Sequence, residues 1–119
     1  VSSIEFYWRQ GCGFCTSLDS VLSQTSLPIA YYNIWEDPQA AAAVRGIAGG
    51  NETVPTVVVN KVAMVNPTPR EVVELIRSHA SDLLTVEVLE ELEQLTKRIH
   101  VSKEHELDRG QQGSVVNDK

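Results

Sequence analysis

Cys12-Gly13-Phe14-Cys15 is the one stretch of this 119-residue chain whose residue types and spacing carry explicit chemistry. Two thiols separated by two residues can cycle between a dithiol and a disulfide. Their position sharpens that reading. The pattern before them reads as a strand and the pattern after them as a helix, which puts Cys12 at a helix start. Unpaired backbone N–H groups and the helix dipole favour an anion there, so the Cys12 thiolate is stabilised. Arg9, three residues earlier, adds a nearby positive charge. Cys15 follows about one helical turn later, close enough to attack a mixed disulfide on Cys12. Lying further into the helix, it is expected to be more buried and less acidic. The asymmetry assigns Cys12 as nucleophile and Cys15 as resolving thiol.

Other readings of the pair stay open. A structural disulfide across so short a spacer closes a tiny loop and does little for stability. Zinc needs about four ligands, and only His79, His100 and His105, all far along the chain, could supplement the cysteines. A metal cluster shared between two chains and a pair of buried, inert thiols complete the set. Thr53-Val54-Pro55 adds weight to the redox reading. Proline is disfavoured inside a sheet, and a cis proline at this point would turn the Val54 backbone groups toward the cysteines. Those groups could pair with an extended, thiol-bearing peptide as a short added strand. The alternative is that Pro55 only ends a glycine-rich loop.

The elements that must position these residues follow from periodicity. From Ser3 to Trp8, Ile4, Phe6 and Trp8 alternate with Ser3, Glu5 and Tyr7, the period of a strand. Phe14, Leu18, Val21 and Leu22 then fall at helical spacing as one apolar face, and Pro28 is expected to stop that helix. Ile29 to Ile34 reads as a second strand. Asp37-Pro38 is an N-cap followed by proline at the first helical position, opening an alanine-rich helix expected to end at Gly46. Thr56 to Val59 and Val62 to Val65 flank Asn60-Lys61 as a hairpin. Thr68-Pro69-Arg70-Glu71 combines a capping box with an early proline and starts a helix to about His79. The order β-α-β-α-β-β-α is a compact α/β pattern.

Composition bounds the rest. Ten basic residues against sixteen acidic ones give a net charge of −6, which excludes the basic stripe of a nucleic-acid binder. No apolar run reaches the roughly 18 residues of a membrane span, and no leader-like pattern opens the sequence. Two cysteines are too few to staple a secreted scaffold. A cytoplasmic domain is the expectation. Residues 1–82 read as the redox domain, 83–109 as a C-terminal helical extension and 110–119 as a disordered polar tail. In the extension Val88, Leu92, Leu95 and Ile99 form a short heptad-like seam. It serves either a fold-back onto the domain or a dimer contact.

Taken together, Tyr7-Trp8-Arg9-Gln10-Gly11-Cys12-Gly13-Phe14-Cys15, Asn33-Ile34-Trp35 and Asn51-Glu52-Thr53-Val54-Pro55-Thr56-Val57-Val58 resemble the glutaredoxins of the thioredoxin superfamily, and among them the mycoredoxin branch. The resemblance covers residues 1 to about 79 and rests on the combination of motifs. It implies a thioredoxin-like fold with Pro55 cis and no tightly bound cofactor. It also implies reduction of mixed disulfides between proteins and a low-molecular-weight thiol co-substrate. The family's nucleophile falls on Cys12, its resolving cysteine on Cys15 and its basic residue on Arg9. Its backbone clamp falls on Thr53, Val54 and Pro55. Phe14 and Asn66 are further candidate substrate contacts of this chain's own.

One departure bears on the thiol. Glutathione-using relatives usually carry a Gly-Gly pair and an acid after the fourth strand, where this chain has Val65-Asn66-Pro67-Thr68-Pro69. The difference favours a thiol with other end groups, such as mycothiol, with Asn66 either bonding to it or serving only as a turn residue. The expected partners are S-thiolated or disulfide-bonded proteins. Two other functions are kept: a dimeric iron–sulfur cluster module, and a thioredoxin-like protein disulfide reductase recycled by a flavoprotein.

Overall fold

The computed structural model describes residues 2–96. Ile99, His100, His105 and the tail from 110 onward therefore lie outside the described residues. Four strands and three helices follow in the expected order: β1 (Ile4–Trp8), α1 (Gly13–Leu22), β2 (Ile29–Asn33), α2 (Pro38–Ile47), β3 (Thr56–Val59), β4 (Val62–Val65) and α3 (Pro69–His79). A 3-10 turn covers Ser81–Leu83, and helical residues begin again at 86. Chain contacts divide the protein after Val88. Val88 is buried in the first unit, where its N–H donates to the Thr85 hydroxyl at 3.2 Å. In the second unit, the described residues 89–96 are helical. No helix among the described residues is long and apolar enough to cross a membrane.

The sheet runs β2-β1-β3-β4. β1 pairs in parallel with β2 and antiparallel with β3, while β3 and β4 form the hairpin. Asn60 (φ 48°) and Lys61 (φ 74°) turn that hairpin in the left-handed region, the conformation a two-residue turn between twisted strands requires. β1 is an inner strand, and helices cover both faces of the sheet around it. Tyr7 packs with Ile34, Ala40, Ala41, Val44 and Val58 on the α2 side. Ile4, Phe6, Val57 and Val59 point the other way and are almost fully buried, on the face where α3 meets β3 and α1. The simple alternation of the sequence therefore needs correction: Tyr7 is core, and Trp8 is only half-buried.

Capping chemistry sets two of the helices as expected. Asp37 Oδ1 accepts from the N–H groups of Gln39 (3.0 Å) and Ala40 (3.2 Å) at the start of α2. Thr68 and Glu71 close a reciprocal capping box on α3. Two helix ends differ from the sequence expectation. α1 stops at Leu22, well before Pro28, because the Thr25 N–H and hydroxyl both fold back on the Leu22 carbonyl, at 3.1 and 2.7 Å. α2 runs through Gly46 to Ile47. The left-handed residues that leave the helix are Gly49 (φ 66°) and Gly50 (φ 97°). The inner stripe of α1 is also rotated from the expected one. Cys15, Leu18 and Leu22 are buried, while Phe14 is 72% exposed. Gly13 starts the helix one position before Phe14, and a heptad step inward from Leu22 reaches Cys15 rather than Phe14.

Candidate active site

The turn from β1 into α1 builds the site. Gly11 takes φ 76°, a left-handed conformation that glycine adopts without a Cβ penalty, and it brings the chain round into the helix. Cys12 is the N-cap of α1, with extended backbone (φ −92°, ψ 103°). Its sulfur accepts from the Cys15 N–H at 3.1 Å, and its carbonyl accepts from the Thr16 N–H at 3.1 Å. A side chain that caps a helix normally uses an oxygen; here a sulfur fills that place. Negative charge on this atom would meet both the unpaired donors of the first turn and the positive end of the helix dipole. Cys12 and Cys15 are disulfide-bonded, with Cα atoms 5.2 Å apart. Cys15 is the more enclosed, at 3% exposure against 8% for Cys12.

The loop before β3 forms the other wall. The Val54–Pro55 peptide is cis, and the Val54 carbonyl oxygen lies 3.7 Å from Cys12 Sγ. Two hydrogen bonds hold the loop on either side of Val54. The Thr56 hydroxyl donates to the Thr53 carbonyl at 2.8 Å, and the Asn66 N–H donates to the Pro55 carbonyl at 2.7 Å. Among the described residues no hydrogen bond engages the Val54 N–H. The Val54 peptide edge is thus fixed in place beside the sulfur, with a donor left for an incoming extended segment.

The structure brings Cys12, Cys15, Val54 and Pro55 together and ties Thr53 and Asn66 to them through the backbone. Asn66 is a turn residue at φ 51°, exposed at the end of β4. Phe14 stands on the solvent side of α1 next to the disulfide. Arg9 has a partner that sequence reasoning missed. Its guanidinium carbon sits 5.4 Å from the centre of the Trp35 ring, and its Nη1 donates to the Gln10 carbonyl at 3.0 Å. The parallel register explains the meeting. Trp8 stands opposite Asn33 and the Ile34 N–H donates to the Trp8 carbonyl at 2.9 Å, so the two strands deliver Arg9 and Trp35 at adjoining exits. Trp35 is 60% exposed, and no local signal in the sequence points to the pairing, because strand register decides it. Among the described residues no cluster of three or more histidine, cysteine or acidic side chains could hold a metal ion.

Solved structures share this architecture. A glutaredoxin from Archaeoglobus fulgidus is 20% identical, with a TM-score of 0.56 over 65% of this chain and 88% of its own. The thioredoxin-like protein BC3987 is 18% identical, with a TM-score of 0.55 over 61% of this chain and 99% of its own. At such identities the likeness establishes the fold, which is thioredoxin-like. No curated protein sequence matches significantly. The sequence profile of the family described as Glutaredoxin matches residues 4–64, a stretch that begins with β1 and takes in the cysteine pair, the cis-proline loop and most of the hairpin. With the match spanning half of the chain, this protein belongs to the glutaredoxin family and carries that family's Cys-x-x-Cys pair at disulfide distance.

Proposed function

We propose that the protein is a thiol-disulfide oxidoreductase that clears mixed disulfides between proteins and a low-molecular-weight thiol in the cytoplasm, with mycothiol favoured over glutathione as co-substrate. The observation that carries this reading is the placement of the Cys12 sulfur as acceptor of the α1 N-cap, beside the Val54 carbonyl. In the reduced protein, the Cys12 thiolate attacks the small-thiol sulfur of the conjugate. A sulfur–sulfur bond forms to Cys12, the old one breaks, and the protein leaves as its thiolate. A second molecule of the small thiol then attacks the sulfur attached to Cys12 and departs as its own disulfide. Alternatively Cys15 attacks Cys12 and closes the internal disulfide, releasing the small thiol. The Val54 peptide edge holds the substrate chain alongside, and Phe14 offers an exposed apolar contact.

The preference for mycothiol rests on the segment after β4. Relatives that hold the glutamyl end of glutathione usually have a Gly-Gly pair and an acid there. In this chain Asn66 makes the turn, and the start of α3 is engaged by its own side chains. The Glu71 carboxylate accepts from the Thr68 N–H at 2.9 Å, and the Thr68 hydroxyl accepts from the Glu71 N–H at 3.1 Å. That leaves less of the helix N-terminus for a ligand carboxylate and suits a sugar-based thiol that hydrogen-bonds through hydroxyls, with the Asn66 carboxamide as one contact. The test is reduction of a mycothiol-conjugated protein by wild type, Cys12→Ser and Cys15→Ser. Cys12→Ser abolishes the reaction, and Cys15→Ser keeps a monothiol cycle while accumulating the Cys12 mixed disulfide. Equal loss in both variants would overturn the assignment of roles. Recycling assays with mycothiol, glutathione and a flavoprotein reductase, run side by side, identify the electron source. Stoichiometric iron in anaerobically purified protein would instead point to cluster binding.

A further inference from the structure

A second concavity lies beside Cys15. It is a cleft of about 480 Å³ between α1 and the β1–β2 edge of the sheet, within the size range of small-molecule sites. Phe6, Trp8 and Tyr31 form its sheet wall, and Cys15, Asp19 and Ser23 contribute from α1 and its end. Neither Cys12 nor Val54 lines it. β2 is an edge strand, and Tyr31 is 45% exposed, so the cleft opens sideways to solvent.

Its chemistry is uneven in a way that selects a ligand. Trp8 and Tyr31 supply flat apolar surface, and the buried Phe6 ring backs Tyr31, their centres 5.3 Å apart and tilted by 44°. One carboxylate is set among them. The Tyr31 hydroxyl donates to Asp19 Oδ1 at 2.7 Å, and burial together with this bond pushes the phenol up to about 12, so it stays a donor. The bond fixes the direction of the carboxylate and leaves its second oxygen without a partner among the described residues. No described basic side chain pairs with Asp19; the ion pairs among the described residues are Arg45–Glu52 and Arg77–Glu74. An anionic wall group facing aromatic rings favours a cation that is itself flat, through charge pairing and ring stacking together. It disfavours an anion.

We infer that this cleft is a binding site for a small aromatic cation, one or two rings bearing an amidinium or ammonium group, with the rings against Trp8 and Tyr31 and the charge at Asp19. Such a ligand sits beside Cys15, which lines the cleft, and leaves Cys12 open. Benzamidine is the probe, titrated into the isotopically labelled, oxidised full chain and followed by amide chemical shifts. Asp19, Ser23 and Tyr31 shift together and saturate with a roughly millimolar dissociation constant, the range a ligand of so few atoms can reach. Val54 and Asn66 stay unmoved. Neutral benzyl alcohol and anionic benzoate bind more weakly. Asp19→Asn keeps an acceptor for Tyr31 and loses the charge. It weakens benzamidine at least about threefold and leaves benzyl alcohol unchanged. Three results would each overturn the inference: no saturation by about 10 mM, equal binding of benzamidine and benzyl alcohol, or shifts centred on the Val54 side.

Discussion

Reducing the Cys12–Cys15 disulfide is expected to change the stability of the folded protein only slightly, and the size of the change follows from the structure. The two cysteines are separated by three positions. Cross-linking a chain segment that short removes little freedom from the unfolded state, about 2 kcal/mol in the chain-entropy account. Reduction gives part of this back in the native state. Negative charge on the freed Cys12 sulfur would lie at the N-cap, where the oxidised sulfur accepts from the Cys15 N–H at 3.1 Å. A charge at a helix N-terminus contributes about 0.3–1 kcal/mol at ordinary exposure. The net loss on reduction is therefore about 1–1.7 kcal/mol, which lowers Tm by about 4–14 °C for a unit of this size. Thermal melts of oxidised and fully reduced protein at neutral pH, followed by far-UV circular dichroism, measure it directly. The gap has a defined pH dependence. Protonating the thiolate removes the dipole contribution from the reduced form alone, so the two melts separate further as pH is lowered. A drop of more than about 20 °C on reduction would exceed anything a four-residue loop can supply. That result would make the disulfide structural and refute its reading as an exchangeable pair.

Asn66 separates conformation from contact. Alanine at φ 51° loses about 1 kcal/mol, whereas glycine tolerates the angle and stays within a few tenths of wild type. Asn66→Gly should therefore melt normally and raise KM for the mycothiol conjugate, and an unchanged KM would reduce Asn66 to a turn residue. Asp37→Ala removes the acceptor for two N–H groups of α2 and should cost about 0.5–2 kcal/mol in chemical denaturation, with Asp37→Asn restoring most of it. Tyr7 and Tyr31 are both pushed up to about 12, mainly by burial and then by bonds to Glu5 and Asp19. The unfolded chain releases these protons near pH 10 and the folded chain later, so their contribution is full below pH 10 and is lost as pH rises toward 12. Phenolate absorbance should show a late component that shrinks in Tyr7→Phe and in Tyr31→Phe.

What the sequence could and could not reveal divides along the reach of each interaction. Features settled within a few residues were legible. The Asp37 cap, the Thr68–Glu71 box and the Asn60-Lys61 turn each complete their hydrogen bonds or dihedrals locally, and all three occur as read. So does the placement of Cys12 at a helix start, because a strand, a glycine turn and a helix follow one another directly. The misreadings arose where another segment decides. Tyr7 is core because α2 covers the sheet face to which it points, which the alternation in β1 does not encode. Gly46 stays helical because the backbone does not need to leave the helix until Gly49.

The site divides the same way, and the division bears on how it works. The reactive sulfurs are close in sequence, but what surrounds them comes from afar. Val54 reaches Cys12 from across the sheet, and Trp35 reaches Arg9 only through the parallel register of β1 and β2. That register gives Arg9 two claims on its charge. Held over Trp35, the guanidinium is stacked and partly shielded; released, it is free to approach an anionic sulfur or a substrate carboxylate. If Arg9 acts on the thiolate, its stacking on Trp35 sets how much of that charge the dithiol feels. Replacing it with leucine keeps an apolar side chain while removing the ring face. The Cys12 alkylation rate and its pH profile should then shift, as Arg9 is freed from the stack. Arg9→Lys, which loses planar stacking and keeps the charge, should move the profile in the same direction. If Trp35→Leu leaves that profile where it was in wild type, the stack is a surface contact and the helix N-terminus alone governs the thiolate.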